Sequence, residues 1–191
     1  MKTVEIIGFK RANLGKSSSK ESRDNGHVPA VMYGGKEQVH FEVPTILFKD
    51  IVYTPNAHLV DLNIEGSKHL CILQEVQFHP VNDMIIHADF MEVSDKKPVK
   101  MEVPLRLIGT AEGVLAGGKL VQKLRKIKVR ALPKDLPDFV ELEVSGLALG
   151  KSIRVGDIKS GSFDILNSKS VTVATIEIPR ALKGKTGEAE G

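Results

Sequence analysis

Apolar and polar positions along the chain follow mainly the two-residue period of half-buried strands. Val4 and Ile6 begin it, with Gly8 placed to bend the strand. Val28-Pro29-Ala30-Val31-Met32 is a continuous apolar run of strand length, so it reads as a buried strand, with Gly34-Gly35-Lys36 as the following turn. Val39, Phe41 and Val43 alternate with polar neighbours. Pro44-Thr45 opens a helix with Thr45 as N-cap and Ile46, Leu47, Ile51 and Val52 as its apolar face, stopped by Pro55. Val60, Leu62 and Ile64, a turn at Glu65-Gly66-Ser67-Lys68 and a return through Leu70–Leu73 make a hairpin. Val76 begins another short strand, His79–Asp83 turns, and Met84 to Phe90 is strand-like again.

One stretch breaks the pattern. From Asn13 to Asn25 neither period holds; Gly15 and Ser17-Ser18-Ser19 read as a loop, with a short helix over Ser19–Asp24. A second interruption, Ser94-Asp95-Lys96-Lys97-Pro98, marks a domain boundary. Beyond it Met101, Val103, Leu105 and Leu107 alternate, as do Ile127, Val129 and Ala131, then Val140, Leu142 and Val144, and finally Val171 and Val173. The fold class is mainly β: a domain over residues 1–94, a β-rich domain over 98–180 and a polar tail, 181–191, expected to be disordered. No internal repeat is visible.

The 191 residues suffice for one large or two modest cores. No apolar run approaches the roughly 18 residues that span a bilayer, and MKTVEIIGFKR lacks the apolar core of a signal peptide. A single cysteine, Cys71, makes no internal disulfide, which fits a reducing compartment. Net charge is only +3, but its distribution is uneven. Lys10, Arg11, Lys16, Lys20 and Arg23 crowd the segment with least to bury, which points to an anionic partner. Seven basic and no acidic residues lie between Lys119 and Lys134. There Lys126, Lys128 and Arg130 alternate with Ile127 and Val129, so a solvated sheet face is the simpler reading and a second phosphate-contacting surface the other.

Other chemistry is poorly supported. Ser17–Ser19 with Asp24 and His27 match no nucleophile elbow. Gly113–Lys119 fits G-x-x-x-x-G-K, but Leu120 stands where a phosphate loop needs Ser or Thr, so a flexible glycine hairpin loop is expected. His69, Cys71, His79, Asp83, His87 and Asp89 lack metal-ligand spacing, and Cys71 within LCIL reads as core. No cofactor or metal is expected. His87 and Asp89 differ: around small Ala88 they project from one strand face as a compact donor and acceptor, suited to an ion pair or to reading polar base edges.

These residues resemble a known family. R-x-x-x-G-K at Arg11–Lys16, K-x-x-R at Lys20–Arg23, G-x-V-P-A-V-x-Y-G-G at Gly26–Gly35, Q-x-V-Q-x-H-P at Gln74–Pro80 and H-x-D-F at His87–Phe90 resemble bacterial large-subunit ribosomal protein twenty-five. With G-x-A-x-G-V-x-x-G-G at Gly109–Gly118 and A-L-P-x-x-L-P at Ala131–Pro137, the whole length resembles the long two-domain form, the general stress protein CTC type. The resemblance implies a six- or seven-stranded β-barrel with short helices, then a second β-rich domain. It implies a non-enzymatic, cytoplasmic constituent of the large ribosomal subunit, monomeric within the ribosome beside ribosomal RNA and protein neighbours. The barrel would bind 5S ribosomal RNA in its loop E region. Arg11 and Lys20 would contact phosphate, sugar or base edges, and Lys16 and Arg23 would be supporting phosphate contacts. Tyr33 would offer its hydroxyl or ring, and His87 and Asp89 would read groups in the groove. The family commonly has Arg where this chain has Lys20, so a point charge replaces a planar fork. Arg11→Ala or Asp89→Ala is expected to weaken binding with thermal unfolding nearly unchanged. The alternative is a stress-related protein-interaction module for which RNA is incidental.

Overall fold

The structure is a computed structural model that describes residues 1–35, 37–95, 97–159 and 161–179; the expected disordered tail, 181–191, lies outside the described residues. It divides into two compact units, one of Met1–Met101 with Ala131–Asp138 and one of Glu102–Arg130 with Phe139–Gly191.

The first unit is built on a closed six-stranded barrel. Its strands are β1 (Thr3–Lys10), β2 (His27–Tyr33), β3 (Val39–Pro44), β4 (Leu59–Ile64), β5 (Ser67–Phe78) and β6 (Ile85–Glu92), in the order β1-β3-β2-β6-β5-β4. Helix α1 (Lys16–Asp24) joins β1 to β2, and a 3-10 turn, Thr45–Phe48, followed by α2 (Lys49–Val52), joins β3 to β4. β1 closes the ring by changing partner, parallel to β4 over Thr3–Gly8 and antiparallel to β3 at Phe9 and Lys10. Gly8 sits where this happens: a Cβ there would stand 2.7 Å from the Phe41 ring, so the missing side chain makes room for the core. Alternation works as the sequence requires. Ile6, Val28, Ala30, Met32, Phe41, Val43, Val60, Leu62, Ala88 and Phe90 point inward and are buried, and Phe90 packs against Phe41 and Phe48 at 5.7 and 6.3 Å between ring centroids.

Several local expectations are corrected. Ser17–Ser19 are helical, within α1, where the Ser18 and Ser19 hydroxyls find partners in Arg11 and Asn13 that offset their poor helix propensity. Thr45 is not the N-cap; its hydroxyl donates to the Gly26 carbonyl at 2.8 Å, and Pro44 holds the cap position. Leu70–Leu73 and Val76 belong to one strand, β5, whose pairing with β6 shifts between Leu73 and Glu75 and again between Gln77 and Phe78. The β4–β5 hairpin is present, its turn made by Glu65 and Gly66 at φ 48° and 92°.

The second unit is also β-rich. Wholly or mostly within it are β7 (Val99–Ile108), β8 (Lys119–Gln122), β9 (Lys126–Ala131), β10 (Val140–Glu143), β11 (Ser152–Arg154), β12 (Asp164–Ile165) and β13 (Thr172–Glu177), with one short helix, α3 (Glu112–Leu115). They form a four-stranded sheet, β10-β7-β9-β12, and a three-stranded sheet, β11-β13-β8. Gly113–Lys119 is not a flexible loop. A Cβ on Gly113 would stand 2.7 Å from the Leu149 amide nitrogen, and one on Gly118 would meet the Ile176 side chain, so both glycines are needed for close packing beside the Ala111, Val144, Leu147 and Ile176 cluster.

Candidate nucleic-acid interface

Helix α1 lies over the barrel wall with two distinct faces. Ser18 and Ser22 face inward. The buried Ser22 hydroxyl donates to Glu42 Oε2 of β3 at 2.7 Å, and the Ser18 hydroxyl donates to the Asn13 carbonyl at 3.0 Å. Lys16, Lys20 and Arg23, at spacings of four and three, form a stripe on one side of the helix. Lys16 and Lys20 are exposed. Arg23 is half-buried, and its Nε donates to the Ile86 carbonyl of β6 at 3.0 Å. The stripe therefore ends one residue short of His87. Arg23 keeps only its terminal amines for a ligand.

His87 and Asp89 do project together from β6. His87 Nδ1 lies 2.9 Å from Asp89 Oδ1, and the side chains are 33% and 29% exposed, so the pair is formed and still reachable. With Nδ1 engaged, Nε2 is the ring nitrogen left for another partner. β2 runs parallel to β6 with Val31 opposite Asp89 and Tyr33 opposite Met91. Burial, then the carboxylates of Asp89 and Glu75, push the Tyr33 phenol above its ordinary pKa, so its hydroxyl stays a donor. Tyr33, His87, Asp89 and Arg23 thus come to one wall.

Arg11 has a different setting. Its Nη2 donates to the Ser18 and Ser19 hydroxyls, both at 3.1 Å, and its Nε is buried with no hydrogen-bond partner. It braces the end of β1 against the first turn of α1. It also borders a polar groove of about 260 Å³ that includes Asn13, Glu21, Asn25 and Glu42. Two carboxylates on that groove suit hydroxyl or amino groups better than phosphate. Among the described residues no hydrogen bond or ion pair joins Arg11 to His87 or Asp89.

The sequence reading assigned no interface role to Ser18, Ser19 and Glu42, which position the helix and Arg11, or to Glu75 and Gln77, which stand opposite Asp89 and His87. No spacing rule finds the last two, because the β5 irregularities reset the register. The remaining candidates are absorbed by structure. His69 Nδ1 pairs with Glu92 at 2.8 Å. Cys71 is buried against Met32, Sγ to Sδ 3.4 Å, and burial pushes its thiol pKa up to about 12. Among the described residues no three His, Cys, Asp or Glu side chains are grouped to hold a metal, and no helix is long and apolar enough to cross a membrane.

Residues 6–90 match the Ribosomal L25p family, and residues 98–180 match the C-terminal domain of ribosomal protein TL5. A protein of Cytophaga hutchinsonii named large ribosomal subunit protein bL25 is 53% identical over 99% of this chain and 98% of its own length. The chain belongs to the ribosomal L25p family. Relatives of the same name from Amoebophilus asiaticus and Porphyromonas gingivalis are 50% and 46% identical, over 100% and 96% of this chain and 97% of their own lengths. The L25p match covers every candidate interface residue and ends at Phe90, within β6, so the wall carrying Tyr33, His87 and Asp89 belongs to the L25p part of the chain.

Proposed function

We propose that this protein is a structural, non-enzymatic constituent of the large ribosomal subunit in the bacterial cytoplasm. Its 1–94 module binds 5S ribosomal RNA at loop E, and 98–180 forms a second module. The full-length relatives named as large-subunit proteins support the first part. The observation that carries the second is the His87–Asp89 pair, held at 2.9 Å on an accessible barrel wall where the α1 cation stripe ends.

The parts divide the labour. Lys16, Lys20 and the free amines of Arg23 meet phosphates and supply affinity without selectivity. An A-form helix offers a wide, shallow minor groove, which a strand face with short side chains can approach. There Asp89 accepts from an amino or 2′-hydroxyl group, His87 Nε2 and the Tyr33 hydroxyl add directional contacts, and Arg11 holds α1 in place while facing the polar groove.

Binding of the full chain to a loop E duplex and to a regular duplex of equal length tests this division. Lys20→Ala should weaken both alike. Asp89→Ala should cost about 1–3 kcal/mol on loop E and little on the regular duplex, because one polar readout is lost. An unchanged loop E preference in Asp89→Ala would refute the assigned readout.

A further inference from the structure

The cations of the basic run that lie in the second unit divide into a neutralised part and a free part. Lys128 faces Glu102 at 3.9 Å, and Arg130 binds Asp164 at 2.9 Å, so these cations of β9 are answered by carboxylates. Lys119 stands opposite Glu177 in the β8–β13 ladder. Lys123, Arg125 and Lys126 differ. All three are exposed, and among the described residues none makes an ion pair. Lys123 and Arg125 lie in the link through which the chain leaves β8 in one sheet and enters β9 in the other, and Lys126 is the first residue of β9.

That link is rigid. The amides of Lys123 and Leu124 both donate to the Val173 carbonyl, at 2.8 and 3.1 Å. The Arg125 carbonyl accepts from the Leu105 amide at 2.9 Å. Gln122 Nε2 donates to the Leu124 carbonyl at 3.1 Å and lies 3.4 Å from the Leu105 carbonyl. The backbone beneath three uncompensated cations is thus tied to β7 and to β13. A pre-organised cluster loses less entropy on binding than a flexible one.

We propose that the β8–β9 link and the start of β9 form a second RNA contact, with Lys123, Arg125 and Lys126 engaging phosphates of ribosomal RNA. This rests on the reading of the protein as a ribosomal constituent, but not on the loop E site. An RNA backbone is favoured over an acidic protein surface by what surrounds the charges. Protein interfaces centre on apolar or aromatic anchors with charges at the rim. Here the segment 123–126 has no aromatic residue, and its one apolar side chain, Leu124, is half-buried.

The test is the salt dependence of full-chain binding to protein-free large-subunit ribosomal RNA, between about 50 and about 200 mM potassium chloride. Replacing Lys123, Arg125 and Lys126 together by Gln should lower the slope of log K against log salt by about 2–3, at roughly 0.7–0.9 per phosphate contact. At the upper salt concentration affinity should fall at least tenfold, with the unfolding midpoint unchanged. Affinity for an isolated loop E duplex should also be unchanged. Lys159→Gln with Lys169→Gln, which removes exposed charge outside the link, should alter the slope little. An unchanged slope in the triple variant, or an equal effect from the Lys159/Lys169 pair, overturns the proposal. So does a defect seen only on protein-containing subunits, which assigns the link to an acidic protein neighbour. Failure of the wild type to bind the loop E duplex would instead count against the barrel site and leave this measurement intact.

Discussion

Arg11→Ala should destabilise the barrel unit as well as affect RNA binding. The sequence alone predicts little change in unfolding, because Arg11 reads as a surface cation. In the structure its Nη2 donates to both Ser18 and Ser19 at 3.1 Å, on a half-buried side chain. A hydrogen bond with one charged partner contributes about 1.5–3 kcal/mol. Both serines are half-exposed and recover water when the guanidinium leaves. Arg11 Nε is already buried without a partner, so its removal returns part of a desolvation cost. The net loss should be about 1–2 kcal/mol, or a fall of about 4–16 °C in the unfolding midpoint of a domain of this size. Thermal unfolding of Arg11→Ala, of Ser18→Ala with Ser19→Ala, and of the combination forms a double-mutant cycle. The coupling should be about 0.5–2 kcal/mol, since the groups touch. Arg11→Ala within about 0.5 kcal/mol of wild type, with additive effects, would refute the brace. RNA affinity must then be compared where every variant is fully folded, so that lost binding is not mistaken for lost fold.

Two further outcomes follow from packing and titration. Gly113→Ala places a methyl 2.7 Å from the Leu149 amide nitrogen and 2.8 Å from the Ala148 carbonyl carbon. Overpacking against backbone should cost about 1–3 kcal/mol, more than the gain in helix propensity of about 1 kcal/mol. Gly146→Ala, which meets nothing within 4 Å, should be near neutral in the same denaturant titration. For Cys71 burial, then Glu92 and Asp61, raise the thiol from 9.0 to about 12. A raised folded pKa contributes stability below the unfolded pKa, and that contribution is lost as pH rises from about 9 towards about 12. The stability difference between wild type and Cys71→Ala should shrink across that window, and a constant difference would count against it. The thiolate is the nucleophile, so the folded chain should also resist thiol labelling at pH near 8 until it is unfolded.

Much of the fold was legible because a strand writes its buried face into every second residue. Val39, Phe41 and Val43, or Val60, Leu62 and Ile64, announce both the element and its inward side. His87 and Asp89 were legible for the same reason, since flanking Ala88 by one residue on either side fixes a common face. Helix α1 was only half visible. Its serines favour loops by local propensity, and what makes them helical is Arg11, Asn13 and Glu42, supplied from outside the segment.

What the sequence determined by itself is therefore local: which residues alternate, where cations concentrate, and which chemistry lacks the spacing it needs. The tertiary structure decided which of those local features meet. The strand order sets β2 beside β6, so Tyr33 joins a pair more than fifty residues later, and Arg23 ties the helix to the strand that carries it. Register irregularity in β5 chooses Glu75 and Gln77 as neighbours. In the second unit the basic run is divided by carboxylates at Glu102 and Asp164 into paired cations and free ones. Periodicity is a property of one strand and is written in its own residues. Pairing depends on two strands and on how the barrel closes, so no single segment records it.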